Sequence, residues 1–261
     1  MSQNHGQELL RTTLLCANEL KTSFNVKGFR QDQMSGPQLF LLLSLEKSEQ
    51  FSRAILSLCE QGFQDEATLI IRTFFEFYIS LKLIDSDKAL LNRYADFIYI
   101  VRKRKVEILR RRGLLDSSEF SKHDTVAHVE QEFERVKREH GFQGSELHWF
   151  PYEKYDKAPS FKKACIKVGA LEWYDIIYQY WSDFAHANIL SLMNYDFVSS
   201  PGQFQIKKNH TTTEGYEVIA AEFLLYACEL FHQQFDLGQQ ERLTHMGEQL
   251  HQQKKTIVWQ L

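Results

Sequence analysis

The chain has 261 residues, 43% hydrophobic and 25% charged, which is enough for one large domain of ordinary globular composition. Its 4 prolines and 12 glycines argue against a loop-rich β fold, and its formal net charge of -3 excludes a global attraction to nucleic acid. The longest apolar stretch, ATLIIRTFFEFYISLKLI, is interrupted by Arg72, Glu76 and Lys82, which a membrane span would not carry without a reason. We therefore expect a soluble, cytoplasmic protein with no membrane partner.

The first half of the chain has the apolar spacing of five helices. The predicted helices cover 7–24, 35–62, 64–84, 85–113 and 119–140. Ser35 and Pro37 favour the start of the second helix, and Asp85 or Ser86 is the expected cap of the fourth. Gly141 is expected to end the fifth.

In the second half, an irregular excursion or lid is predicted over 141–159 and a short helix over 160–169. Three longer helices follow, over 171–196, 214–235 and 237–256, and the stretch 197–213 reads as a small hairpin or a loop. The fold class is therefore all-α, a single-domain bundle of about eight or nine helices. The four cysteines form no C-x-x-C pair, and we expect buried, reduced thiols at Cys16, Cys59, Cys165 and Cys228.

Two charges stand inside the otherwise apolar third helix. Arg72 and Glu76 are four residues apart, so they share a helix face and can pair. A charge in such a helix is costly without a partner. The pair therefore either lines a functional site or forms an internal ion pair that fixes helix packing.

The stretch WYDIIYQYWSDFAHANIL places polar groups in an aromatic helix. Tyr174, Tyr178, Ser182 and His186 follow steps of four and form one stripe. With Asp183 they invite a serine-hydrolase interpretation, but no G-x-S-x-G turn or oxyanion hole accompanies them. His186 is then either a proton donor and acceptor or a hydrogen-bonded core residue.

These two motifs, R-x-x-x-E and Y-x-x-x-Y-x-x-x-S-x-x-x-H, resemble an uncharacterised, mostly bacterial all-α family, the domain of unknown function 5677. The resemblance covers roughly residues 40–200 and implies candidate site residues without a reaction. The matching positions are Arg72, Glu76, Tyr174, Tyr178, Ser182 and His186. The helices over 214–256 are expected to pack on this core.

More distantly, the chain resembles HEPN-type helical domains, which implies a metal-independent ribonuclease with a toxin-like or phage-defence role. Our hypothesis departs from the one-helix HEPN pattern and assembles the site from two helices. His186 is the acid/base, Arg72 stabilises the phosphate and Glu76 orients Arg72, while Ser182 and Tyr178 orient the imidazole. The HEPN spacing of Arg and His also occurs at Arg135 and His140, although the polar residue usual after the arginine is missing.

A basic run favours RNA as a partner. Seven cations occur in eleven residues, and the candidate phosphate-binding residues are Arg102, Lys103, Arg104, Lys105, Arg110, Arg111 and Arg112. The alternative is a solvated helix that pairs with the acidic stretch near Glu130–Glu134.

Other functional classes find less support. Glu-x-x-His occurs at Glu229/His232 and at Glu248/His251, as in a di-iron bundle, but the second pair lies in a polar tail. We therefore expect no metal and no cofactor. A non-catalytic helical interaction or adaptor protein, which binds a protein partner or forms a homo-oligomer, remains the alternative function.

Overall fold

The fold is known from a computed structural model. It describes residues 5–114, 125–142, 148–150, 161–180, 195–200, 203–208 and 214–256. The contacts group into two compact units: unit 1 is Met1–Leu81 with Ala170–Leu261, and unit 2 is Lys82–Gly169. Helices dominate both units, and a two-stranded hairpin lies in unit 1, so the all-α class is confirmed. That the chain is a single domain stays a prediction.

The helices follow the apolar spacing of the sequence. In chain order they are α1 (His5–Val26), α2 (Gly36–Glu60), α3 (Gln64–Ser86), α4 (Leu90–Arg111), α5 (Val126–His140), α6 (Phe161–Lys167), α7 (Leu171–Trp173), α8 (Glu214–Phe235) and α9 (Gln240–Thr256). A 3-10 turn covers Gln31–Gln33, and α7 continues as a π-helix over Tyr174–Tyr180. The two strands, β1 (Tyr195–Ser200) and β2 (Gln203–Lys208), form an antiparallel hairpin.

Two of the predicted helix ends are confirmed in atomic detail. Ser35 caps α2 in a capping box: its Oγ accepts from the backbone N–H of Gln38, and its own N–H donates to Gln38 Oε1 at 2.9 Å. Pro37 lies in the first turn of α2, where its missing N–H has no helical partner to lose. Gly141 ends α5 in the left-handed conformation at φ 68°.

The predicted cap of α4 is wrong. Ser86 is still helical in α3, and its hydroxyl donates back to the carbonyl of Leu83 at 2.7 Å instead of opening the next helix. α4 begins at Leu90, and Asp87 accepts from the backbone N–H of Ala89 at 3.0 Å. A serine at a helix end can satisfy the preceding turn as well as the following one, so the sequence did not separate the two cases.

Three other predicted ends are also wrong. α5 begins at Val126 after the N-cap Thr125, not at 119. The helix predicted over 171–196 cannot reach its end, because β1 begins at Tyr195. α9 begins at Gln240 because Gly238, at φ 69°, precedes it in a turn.

Unit 1 is held together by a core of large aromatic side chains. α8 is apolar on nearly all sides, and it packs against α1, α2 and α9. Phe223 of α8 stacks on Tyr78 of α3 with ring centroids 4.3 Å apart, and it meets Phe74 edge-on at 5.3 Å. Such pairs add to the burial energy of the rings, so α3 is fixed against α8.

Unit 2 has a smaller core between α4 and α5, made of Ile100, Val136 and Phe142. The buried guanidinium of Arg93 lies 3.9 Å from the ring centroid of Phe142. It also donates to the carbonyls of Trp149, at 2.6 Å, and of His140. Arg93 therefore ties α4 to the end of α5 and to the segment 148–150.

All four cysteines are free and buried, as predicted. Burial raises the pKa of the Cys59 thiol, and nearby Glu217 raises it further. Within the described residues, no helix is both long and apolar enough to cross a membrane.

Candidate functional site

Arg72 and Glu76 lie on a partly exposed face of α3. The side chain of Arg72 keeps 22% of its surface exposed and that of Glu76 keeps 42%, while Ile71 and Phe75 beside them are buried. Arg72 Nε lies 3.9 Å from Glu76 Oε1, a longer separation than a hydrogen bond. Both groups therefore reach solvent. That the pair lines a functional site stays a prediction.

The guanidinium of Arg72 lies over the ring of Tyr178. Arg72 Cζ lies 4.4 Å from the centroid of the Tyr178 ring, a cation–π contact that joins α3 to the segment 174–180. The rings of Tyr174 and Tyr178 stack at 5.3 Å with an interplanar angle of 18°. The two sequence motifs, distant in the chain, therefore meet at this point.

The backbone around Tyr178 is unusual. Tyr174–Tyr180 is π-helical, and runs of this kind are rare and often occur at functional sites. Ser182, Asp183 and His186 lie outside the described residues. The place of Ser182 and His186 on the same stripe as Tyr178 stays a prediction.

The surroundings of Glu76 shift its pKa. Burial by the surrounding protein raises the pKa of Glu76 above its ordinary value of 4.5, and the positive charge of Arg72 opposes this only in part. A carboxyl group with a raised pKa holds its proton to higher pH.

The basic run lies on α4, and part of it is engaged with α5. Lys103 Nζ and Arg110 Nη2 both lie 3.1 Å from Glu130 Oε1. The pairing expected between the basic run and the acidic stretch thus forms for these two cations. Arg102 lies 5.8 Å from the ring centroid of Tyr99.

The remaining cations of the run differ in exposure. Lys105, Arg111 and Arg112 are exposed, while Arg104 is half-buried. Arg111 Nε also donates to the carbonyl of Glu107 at 3.4 Å. The exposed cations are the part of the run best placed to meet a phosphate backbone.

Arg135 and His140, the pair with HEPN spacing, meet on one carboxylate. Arg135 Nη2 lies 3.0 Å from Asp96 Oδ1, and His140 Nε2 lies 2.9 Å from Asp96 Oδ2. Burial acts to raise the pKa of Asp96, but hydrogen bonds from Arg135 and His140 outweigh it and lower the pKa. Arg135 also pairs with Glu132 at 2.8 Å and with Glu139 at 2.5 Å.

Three carboxylates around one guanidinium make this cluster a poor phosphate site. The hydrogen bond from Arg135 to Asp96 has the largest effect on the pKa of Arg135 and raises it, and the hydrogen bond to Glu132 raises it further. Asp96, Glu139 and His140 have donor atoms within 4.8 Å of one another, the spacing of metal ligands, but Arg135 already supplies positive charge among them. The cluster braces α4 against α5.

The four residues of the di-iron hypothesis differ in burial. His232 is buried and Glu229 is half-buried on α8, whereas Glu248 and His251 are exposed on α9. In the described ranges, metal-ligand spacing of three or more groups occurs only in the cluster around Asp96. The two Glu-x-x-His pairs do not build one core site.

Arg93 and Asp96 were not singled out by the sequence. The residues that Arg93 and Asp96 contact lie at 135–150, about 40 to 60 positions later in the chain. Helical spacing in a sequence indicates only neighbours within one helix, so it could not predict these contacts. The sequence signal for Arg93 was its position three residues after Leu90, which places both on the buried side of α4.

A model of a family of unknown function, DUF5677, matches residues 39–204, more than half of the chain. The chain belongs to this family. The DUF5677 region agrees with the range expected from the two motifs, and it contains Arg72, Glu76 and Tyr178. α8 and α9 lie beyond it. No curated protein and no solved structure matches the chain.

Proposed function

We propose that this DUF5677 member is a metal-independent ribonuclease with a toxin-like or phage-defence role. Its site combines Arg72 with His186. The observation that carries the proposal is the contact of the Arg72 guanidinium with the Tyr178 ring at 4.4 Å. It joins the arginine motif to the stripe on which the sequence places His186.

A stacked arginine is suited to binding phosphate. Stacking on an aromatic face fixes the plane of the guanidinium, and its N–H donors point outward in that plane. A phosphate can then accept two parallel hydrogen bonds from it. The partial exposure of Arg72 and Glu76 supports an accessible site over a sealed core network.

The proposed reaction needs one acid/base group and one phosphate stabiliser. His186 takes the proton of a ribose 2′-hydroxyl, and the 2′ oxygen attacks the adjacent phosphorus. The bond from phosphorus to the 5′ oxygen breaks, and that oxygen takes a proton from the imidazolium. Arg72 stabilises the added negative charge on the phosphate.

The supporting residues have orienting roles in this proposal. Glu76 orients Arg72, and Tyr178 holds its guanidinium plane, while Ser182 fixes the imidazole of His186. The exposed cations Lys105, Arg111 and Arg112 would hold the RNA backbone. Arg135 is less suited to the phosphate role because three carboxylates already surround it.

A growth experiment tests the proposal. Wild type, Arg72→Ala/His186→Ala and the control Arg135→Ala are expressed in bacteria, soluble yield is compared, and total RNA is run on a gel. We expect wild type and Arg135→Ala to arrest growth and fragment RNA, and the equally soluble double variant to do neither. Growth arrest by the double variant as strong as that by wild type would overturn the proposal, as would intact RNA in cells that express soluble wild type.

A further inference from the structure

Trp173 immediately precedes the π-helical segment that carries Tyr178. Its side chain is buried, with 6% of its surface exposed. Its indole Nε1 donates to Glu222 Oε1 of α8 at 3.3 Å. The start of the segment is therefore tied to α8 through a directional hydrogen bond.

Lys254 of α9 contacts both Glu222 and Trp173. Lys254 Nζ lies 2.8 Å from Glu222 Oε2 and 4.6 Å from the centroid of the Trp173 ring. One ammonium thus neutralises the carboxylate that receives the indole N–H, and it also contacts the indole face. Lys254 and Glu222 keep 32% and 17% of their side-chain surface exposed, so the ion pair is partly shielded from water.

The contacts of Trp173 with Glu222 and Lys254 connect the segment 174–180 to helices that lie outside the family region. Trp173 belongs to the DUF5677 range of residues 39–204, whereas Glu222 and Lys254 lie after it. The π-helical run Tyr174–Tyr180 begins at the next residue, so the backbone of Trp173 leads directly into it. A rotation of Trp173 would therefore be transmitted directly to the backbone that holds Tyr178.

We infer that Glu222 and Lys254 are positioning residues, which hold the segment 174–180 in register with Arg72 through Trp173. The role in catalysis rests on the proposed ribonuclease function, but the positioning itself can be measured without any activity. We refer to Trp173, Glu222 and Lys254 as the tryptophan clamp.

Hydrogen exchange of the backbone amides in 174–180 is the direct measurement. Lys254→Ala should raise their exchange rates by roughly threefold to tenfold, the factor expected when a shielded cation–π contact and its ion pair are lost. Exchange in α1 should stay within twofold of wild type. Lys254→Arg, which keeps the charge and can stack, should restore protection, and the exposed neighbour variant Lys255→Ala should match wild type.

The indole N–H resonance of Trp173, identified by its loss in Trp173→Phe, gives an independent readout. It should shift in Glu222→Gln and in Lys254→Ala, and it should stay in place in Lys255→Ala. Where cleavage of RNA is measured, Lys254→Ala should lower kcat severalfold and leave KM within twofold.

The results separate this inference from the nuclease proposal. Unchanged exchange at 174–180 in Lys254→Ala overturns the clamp, and so does an equal rise in α1, because that reports general destabilisation. A rise in exchange confined to 174–180 supports the clamp whether or not wild type cleaves RNA. Absence of RNA cleavage by wild type would overturn only the nuclease proposal.

Discussion

Arg72 and Tyr178 are joined by a cation–π contact of 4.4 Å, although one belongs to α3 and the other to a π-helical segment near the end of the DUF5677 region. The contact places a permanent positive charge at a partly exposed position beside a carboxyl group with a raised pKa. The partly exposed guanidinium, the aromatic ring beneath it and the neighbouring carboxyl group together make this surface a candidate functional site.

A double-mutant cycle should detect the contact. Arg72→Ala, Tyr178→Ala and the double variant should give a coupling free energy of about 0.5–1 kcal/mol in urea unfolding, as expected for a half-exposed cation–π pair. Tyr178→Phe keeps the ring and should retain most of the coupling. A coupling indistinguishable from zero would show that the two groups do not interact in solution.

Glu76→Gln should stabilise the protein at neutral pH. The folded-state pKa of Glu76 is raised above its ordinary value of 4.5, so wild type loses stability as pH rises from 4.5 through the folded pKa. Glutamine resembles the protonated form and avoids that loss. The gain at pH 7 should be below about 1 kcal/mol because the group is partly exposed. It should disappear below pH 4.5, and a gain that persists there would contradict the assignment.

Arg93→Lys should destabilise the protein strongly despite keeping the charge. Lysine cannot reproduce the planar fork that serves the carbonyls of Trp149 and His140, and it loses the flat contact with Phe142. A buried charge with incomplete partners costs about 2–4 kcal/mol. Urea unfolding measures the loss, and Arg11→Lys, at an exposed ion pair, is the matched control. Equal stabilities of the two variants would refute the bracing role.

Asp96→Asn should destabilise the protein at pH 7 by about 1–2 kcal/mol, because its ion pairs with Arg135 and His140 are lost. The folded-state pKa of Asp96 is lowered below its ordinary value of 3.8. Its contribution is therefore complete above pH 3.8 and is lost as pH falls through the folded pKa. Urea unfolding from pH 7 to pH 3 should show a constant gap that narrows only below pH 3.8. Asp85→Asn, which removes a surface pair with Lys88, should cost less than about 0.5 kcal/mol.

The cations of the basic run should contribute unequally to RNA binding, according to whether a carboxylate already pairs with them. Arg112→Ala should reduce the slope of log affinity against log salt by about 0.7, as expected for one lost contact with single-stranded phosphate. Arg110→Ala should change the slope less, because Glu130 already neutralises part of its charge. Fluorescence titration at several salt concentrations measures both slopes. Equal slopes for wild type and both variants would remove α4 from the RNA-binding surface.

Local signals predicted much of the helical framework. The Ser35 capping box and the Gly141 terminus depend on residues within one turn, so the sequence contains all the groups involved. The α3–α4 boundary depends on whether Ser86 bonds forward or backward, and both choices satisfy a backbone group. Sequence spacing alone cannot distinguish them.

Features that depend on distant residues were harder to predict. Spacing of four grouped Tyr174 with Tyr178 correctly, but it gave no sign that the backbone between them is π-helical. Asp96 had no recognisable motif, because its role arises only when α4 and α5 pack together. The contact of Arg72 with Tyr178 was not predicted, because the sequence hypothesis assigned Tyr178 to orienting the imidazole of His186. The partial exposure of Arg72 also had no signal in the sequence.

The most direct test of the central claim is the rate at which purified wild type and Arg72→Ala cleave an end-labelled single-stranded RNA in the presence of EDTA. We expect wild type to leave 2′,3′-cyclic phosphate and 5′-hydroxyl ends. The folded Arg72→Ala variant should be slower by about 100-fold or more, as for removal of one charge-stabilising donor. Equal rates for the two proteins, or no cleavage by wild type, would contradict the account.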